Sequence, residues 1–416
     1  MNLWHVSAVL LWALALIAII WFALDRSVIR RQRKTRRKLA NSRYFQGLQY
    51  LLDEQPDEAL TVFLKLADEN PEIIEIQLAV ARLFRRKGEL ERSIRMHQNL
   101  VSRTRLDRAD RLSALYELAS DYVSAGLYDR AERLFNELLE DKPWRRPALL
   151  QLIHIHENQS DWDDALRAAR KLEQASGLSY GRIMAHYECE MGEQALVHQD
   201  YQEAQSRFQL ALTRNPRSVR AHFLVGNYWR RQNHLVRALE YLEQAFLLRP
   251  VLAPLVLPDL AQVVKEASRR GGLESVFRKA ALSPEECDAI DQTMILHDEI
   301  SDVEVDTRLE RFAGRHPFLQ SLCRSSQQQV ISAAMMRTHL APIFRFTLRY
   351  VCEECGYELR SHVWRCPSCR RWDTLVPREM IEEHLRGLEQ DPQLGAHTLP
   401  SGTISGKRAS KKPRII

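Results

Sequence analysis

The chain has 416 residues, 45% of them hydrophobic and 27% charged, so two or three ordinary domains with a sizeable core are possible and global disorder is excluded. Only 15 glycines and 16 prolines argue against collagen-like or densely turned all-β chains, and seven cysteines in this length do not make a disulfide-stapled mini-domain. The net charge of +6 is an average: 26–38 hold eight Lys/Arg and 407–416 five, while 39–406 carry 47 basic against 53 acidic residues. An acidic body with basic ends is a poor nucleic-acid binder, and no nucleic-acid partner is expected.

Residues 1–24, MNLWHVSAVLLWALALIAIIWFAL, contain no Lys, Arg, Asp or Glu. As a helix, Leu3 to Leu24 reaches about 33 Å, enough for a hydrocarbon core of about 30 Å. Trp4 and Trp21 stand near its two ends, where indole rings favour the interface. Positive charge comes after the apolar run rather than before it, which argues for an uncleaved anchor instead of a signal peptide. The cationic run in the juxtamembrane segment 25–40 places the rest of the chain in the cytoplasm by the positive-inside rule. Residues 26–38 are also expected to touch anionic lipid.

A repeat fills 41–250. Ala59, Ser93, Ala131, Ala165, Ala204 and Ala238 recur at spacings of 34, 38, 34, 39 and 34 residues. Twelve residues before each stands Gly47, Ala81, Ala119, Ile153, Gly192 or Gly226, and four after each Phe63, His97, Phe135, Ala169, Phe208 or Leu242. Small residues on two helices allow close approach and the larger residue fills the gap beyond. Pro71, Pro143, Pro216 and Pro250 close four of the units. This is the tetratricopeptide pattern of helix pairs, in six units, with extra residues expected in the turns near 102–110 and 173–183. The register puts Tyr44, Arg82, Arg85, Arg86, Tyr116, His154, Phe223, Asn227, Arg230 and Arg231 on the inner face of the first helices. As a groove, these would suit an acidic partner segment; as a solvated face, they would do nothing. The repeat decays through 251–345, where a helix pair broken at Gly271-Gly272 and helix-like stretches at 285–300, 304–313 and 326–340 read as degenerate units. Cys189, Cys287 and Cys323 are isolated and read as buried small residues. No G-x-x-x-x-G-K-[ST], H-E-x-x-H or G-x-S-x-G pattern occurs, so the body reads as a binding scaffold and not an enzyme.

Cys352 and Cys355, then Cys366 and Cys369, form two C-x-x-C knuckles ten residues apart within 346–378. Four thiolates aimed at one point suit one zinc ion, with iron as the alternative. RYV and WDTLVP read as flanking strands, and Tyr357, Trp364 and Trp372 as cover for the site and a docking surface. The knuckles resemble those of rubredoxin, but the interval is shorter and Arg370 stands where a glycine is expected. A structural zinc ribbon is therefore favoured over an electron-transfer protein on a helical scaffold. The fold class expected is mostly α: a tetratricopeptide α-solenoid with an N-terminal transmembrane helix and a small rubredoxin-like zinc ribbon. Residues 379–416, ending GKRASKKPRII, read as a disordered basic tail.

The order of anchor, repeats and ribbon resembles the lipopolysaccharide assembly protein B family of Gram-negative bacteria, most specifically in RYVCEECGY, WRCPSCRRW, AGLYDRAERLFNELL and FRRKGELERSIRMHQ. The resemblance implies a non-enzymatic, single-pass inner-membrane regulator facing the cytoplasm. It implies an adaptor promoting proteolysis of the lipid A pathway deacetylase by a membrane AAA+ protease, restrained by an inner-membrane sensor protein. Cys352, Cys355, Cys366 and Cys369 carry over as metal ligands; no groove residue carries over. The oligomeric state stays open, a homodimer included.

Overall fold

The computed structural model describes residues 43–268, 272–280, 282, 290–291, 293–294 and 348–379. The expected anchor, the basic segment, the stretches 304–313 and 326–340, nearly all of 285–300, Cys287, Cys323 and the tail beyond Glu379 lie outside the described residues. Among the described residues no single helix is long and apolar enough to cross a membrane. Two compact units divide between Leu178 and Ser179.

Among the described residues the first unit holds four helix pairs: α1 (43–52) with α2 (Pro56–Glu69), α3 (Ile74–Arg86) with α4 (Leu90–Val101), α5 (Arg108–Ser124) with α6 (Tyr128–Leu138), and α7 (Lys142–Gln159) with α8 (Trp162–Ser176). The second holds α9 (Gly181–Val197) with α10 (Tyr201–Arg214) and α11 (Val219–Arg231) with α12 (Leu235–Leu248). A 3₁₀ turn (Pro250–Leu252) leads into α13 (Ala253–Glu266) and a short α14 (Glu274–Phe277). The expected mostly helical, tetratricopeptide architecture is what the chain adopts.

The packing follows the recurring residues. In α6, Ala131, Phe135 and Leu138 are buried, a spacing that keeps them on one helical face. A Cβ at Gly47 would come within 2.7 Å of the Phe63 ring, one at Gly226 within 2.6 Å of Leu242, and one at Gly192 would run into Phe208. The glycine on the first helix is thus the space into which the large residue of the second helix fits. Asp107, Asp161, Asp200 and Ser218 cap α5, α8, α10 and α11 by accepting a backbone N–H in the first turn.

One recurrent feature is carried by the backbone alone. Glu54, Gly88, Gly126, Ser160, Gln199 and Asn233 all have φ between 57° and 79°, and each stands five residues before the recurring alanine or serine. Only two are glycine. Pro71 and Pro216 follow the ends of α2 and α10 as expected, but two prolines differ: Pro143 enters the first turn of α7 and Pro250 opens the 3₁₀ turn. They start the following element, where the missing N–H costs nothing.

In the second unit, α13 closes a core made of Leu242, Phe246, Val256, Leu257, Leu260, Val276, Phe277, Ile290 and Met294. Between the end of α13 at Glu266 and the start of the four-residue α14 at Glu274, Gly272 sits at φ 50°; Gly271, the other half of the expected break, lies outside the described residues. The ribbon is a three-stranded antiparallel sheet ordered β2-β1-β3, from β1 (Leu348–Cys352), β2 (Glu358–Leu359) and β3 (Leu375–Glu379). Tyr350 pairs with Leu359 on one side and Pro377 on the other. Pro377 is tolerated because β3 is an edge strand.

Candidate metal centre

The two knuckles are copies of one another in hydrogen bonding. Cys352 N donates to Tyr357 O and Gly356 N to Cys352 O, at 2.9 Å each; Cys366 N donates to Arg371 O at 2.9 Å and Arg370 N to Cys366 O at 2.8 Å. The residue after the second cysteine is left-handed in both, Gly356 at φ 72° and Arg370 at φ 61°. The departure at Arg370 is therefore real: a side chain occupies a position that favours glycine, and it is strained rather than rearranged.

All four sulfurs lie within 4.8 Å of one another. Cys352 Sγ stands 3.6 Å from Cys369 Sγ, and Cys355 Sγ 3.7 Å from Cys366 Sγ. A disulfide needs about 2.05 Å, whereas a tetrahedron of metal–sulfur bonds of about 2.3 Å has edges of about 3.8 Å. The four cysteines thus fit one tetrahedral ion.

Electrostatics point the same way. Burial opposes ionisation of Cys352, yet the Thr374 hydroxyl and the Glu354 and Cys355 amides bring its thiol down to about 6. The Tyr357 amide lowers Cys355. The Arg371 amide favours the Cys369 thiolate, but burial and the neighbouring sulfurs push that thiol up to about 12. The cage stabilises some negative charge and resists a full set of thiolates without a cation.

The ribbon is seated on the second unit's helices by its last turn. Trp372 stacks on His186 of α9 at 4.6 Å between ring centroids and meets Tyr187 edge-on. The guanidinium of Arg220 in α11, 3% exposed, stands 5.7 Å from the Trp372 ring and 5.9 Å from the Trp364 ring. Glu190 and Glu193 of α9 pair with that arginine. His186 Nε2 is 2.9 Å from Asp373 Oδ2. Arg249, just past α12, donates to Asp373 O at 2.8 Å and to Glu353 Oε2 at 2.9 Å. Burial would raise the Asp373 carboxyl, but the His186 bond, with Arg182 and Arg249 nearby, holds it below the usual carboxylate range. Trp364 and Trp372 dock as expected; Tyr357 is exposed and takes no part. Cys189, buried beside this seam, has its thiol pushed up to about 12 by burial, an inert packing residue.

Several expected groove residues prove to have partners within their own unit. Arg82 Nε bonds Glu117 Oε1 at 2.8 Å, and Arg85 bonds both Glu117 and Asp121 at 2.7 Å. Arg230 pairs with Asp259 at 2.9 Å, and Asn227 donates to the same carboxylate at 3.0 Å. Tyr44 packs on Phe63 and Tyr116 on Phe135 and Trp144. His154 bonds Asn158 one turn on, and Phe223 packs against the second unit's core. Of these arginines only Arg86 and Arg231 are exposed without an ion pair among the described residues. Arg82, Arg85 and Arg230 are thus paired with carboxylates one repeat further along, with which an incoming acidic segment would have to compete.

Fold and site together define a tetratricopeptide-repeat protein carrying a metal-binding ribbon. Family models for the tetratricopeptide repeat match 78–112, 116–179 and 189–247, and one described as a rubredoxin metal binding domain matches 350–377. The particular relatives share a name. The chain is similar to lipopolysaccharide assembly protein B of Escherichia coli K12, 27% identical over 382 residues, covering 89% of this chain and 95% of that protein. The Haemophilus influenzae protein of the same name is 26% identical over 376 residues, covering 86% and 94%. A solved tetratricopeptide repeat protein from Parabacteroides merdae aligns with a TM-score of 0.34 at 15% identity, spanning 61% of this chain and 98% of that one.

Proposed function

We propose that this chain acts in lipopolysaccharide assembly as a membrane-tethered adaptor rather than as an enzyme. The observation that carries this reading is similarity over 89% and 86% of the chain to two proteins named for that process, in a chain that itself carries the repeats and the ribbon. Residues 1–24 would anchor the chain in the inner membrane with 26–38 against anionic lipid, and the rest would face the cytoplasm. The repeats and ribbon would present the lipid A pathway deacetylase to a membrane AAA+ protease, under an inner-membrane sensor protein. Cys352, Cys355, Cys366 and Cys369 would hold one structural zinc ion, which organises the ribbon that Trp372 and Asp373 seat on α9 and α11.

Depletion in the native host, with a pulse-chase of the deacetylase, tests the adaptor role. A lengthened deacetylase half-life is expected, and an unchanged one would overturn it. Metal analysis of the purified full chain tests the zinc: a colourless protein with one zinc is expected, and a red, reversibly reducible one-iron form would favour electron transfer instead.

A further inference from the structure

The turn between α7 and α8 assembles donors that the repeat does not need. In all six pairs the residue ahead of the second helix donates its backbone N–H, at 2.8–2.9 Å, to the carbonyl five positions earlier. The residues supplying that carbonyl are Tyr50, Phe84, Tyr122, His156, Ala195 and Trp229. Five are apolar or aromatic packing residues; the fourth unit has an imidazole. His156 is 6% exposed, and its ring makes no hydrogen bond to any described residue. Opposite it stand Asp161, which caps α8, and Asp164 in the first turn of that helix. One ring nitrogen and one oxygen from each carboxylate lie within 4.8 Å of one another.

We propose that His156, Asp161 and Asp164 form a divalent-cation site, separate from the cysteine cage, that binds a borderline first-row ion such as Zn²⁺ and ties the end of α7 to the start of α8. An imidazole with two carboxylates is a donor set for such ions, leaving positions for water. Ligands on one ion with bonds of about 2.0–2.2 Å stand at most about 4.4 Å apart, so small side-chain rotations close the set. Burial lowers the His156 pKa against the pull of Glu132 and Asp161, with Arg167 helping, which keeps the ring neutral and able to coordinate. Arg167 contacts Asp164 through Oδ1, so the ion takes the other oxygen or displaces that exposed pair. Asp161 Oδ1 accepts the Asp164 N–H, which leaves its second oxygen for the ion.

Equilibrium dialysis of the full chain against Zn²⁺ alone, with the cysteine cage already loaded and its thiols monitored, tests this. The natural protein is expected to hold one zinc beyond the cage and to gain Tm on adding it. His156→Gln, Asp164→Asn and Asp161→Ser are each expected to lose the extra equivalent and the Tm gain while keeping the first zinc. Asp161→Ser retains a capping side chain, so it carries the test should the histidine variant fold poorly. A natural protein that holds only the cage zinc, or a folded variant that keeps the second, would overturn the proposal.

Discussion

The repeats and the ribbon order their chains in opposite ways. A repeat places a small residue against a large one, as Gly226 against Leu242, and excludes water from that contact. Among the described residues the ribbon buries only Tyr350, Cys352, Cys366, Thr374 and Leu375, too little for independent stability, and two of the five are cysteines of the cage. Apolar area can be lost gradually; a four-thiolate cage is lost all at once. Repeat two shows a third solution within the helical part. Ser93 and His97 replace the alanine and phenylalanine, and both bond the fully buried Asp121, with His97 Nδ1 at 2.5 Å and Ser93 Oγ at 2.8 Å.

The sharpest way to break the comparison is to remove the metal. Chelation, or Cys366→Ser, should unfold the ribbon, since structural zinc contributes about 10–16 kcal/mol in small metal domains. Helical circular dichroism should change little, and hydrogen exchange should rise at Trp372 and on α9. Loss of helix on chelation would show that the repeats also depend on the metal. Next in size, Phe208→Ala should lower stability by about 3–5 kcal/mol in urea unfolding, without releasing the ribbon's ion. Asp373→Asn removes the charge facing His186 and should weaken docking by roughly 1–3 kcal/mol, read as faster exchange in α9 with the metal still bound.

The pH dependence separates the regions further. Burial lowers the His362 pKa to about 4. The unfolded chain takes up that proton near pH 6.5 and the folded one does not, so stability is full above pH 6.5 and falls as pH drops toward 4. The slope is at most about 1.4 kcal/mol per pH unit, and His362→Phe should remove that share of it. The smallest effect expected is at Arg370. Arg370→Gly relieves a left-handed side chain and should raise ribbon stability by up to about 1 kcal/mol in thermal melts of the metal-loaded protein.

What the sequence makes legible depends on where each signal is stored. The helix pairs and the cysteine cage are local: alanine, glycine and phenylalanine recur at fixed offsets, and C-x-x-C brings two sulfurs together by its own turn. Arginine partners are stored one repeat away. Arg82 and Glu117 are 35 residues apart and Arg85 and Asp121 are 36 apart, so reading one helix face shows the guanidinium and hides the carboxylate that occupies it. The seam is further still, with His186 and Asp373 separated by 187 residues. No periodicity marks that pair. A tryptophan and an aspartate directly after a knuckle are the available hint, and only the tryptophan stands out in the sequence as a docking residue.

The left-handed residues at 54, 88, 126, 160, 199 and 233 lead to a question of chirality. Their side chains range from none at all to glutamate and glutamine, so what recurs is a sign of rotation and not a chemical group. That sign is the natural preference of a mirror-image amino acid. A semisynthetic chain with D-alanine at Gly88 or Gly126, where φ is 79° and 71°, would suit the backbone and narrow the unfolded ensemble. The same D-residue one position to either side would fight a backbone of negative φ, between −79° and −86° at Lys87, Glu89, Ala125 and Leu127. Chirality would thus locate the corner of each repeat without reference to any side chain.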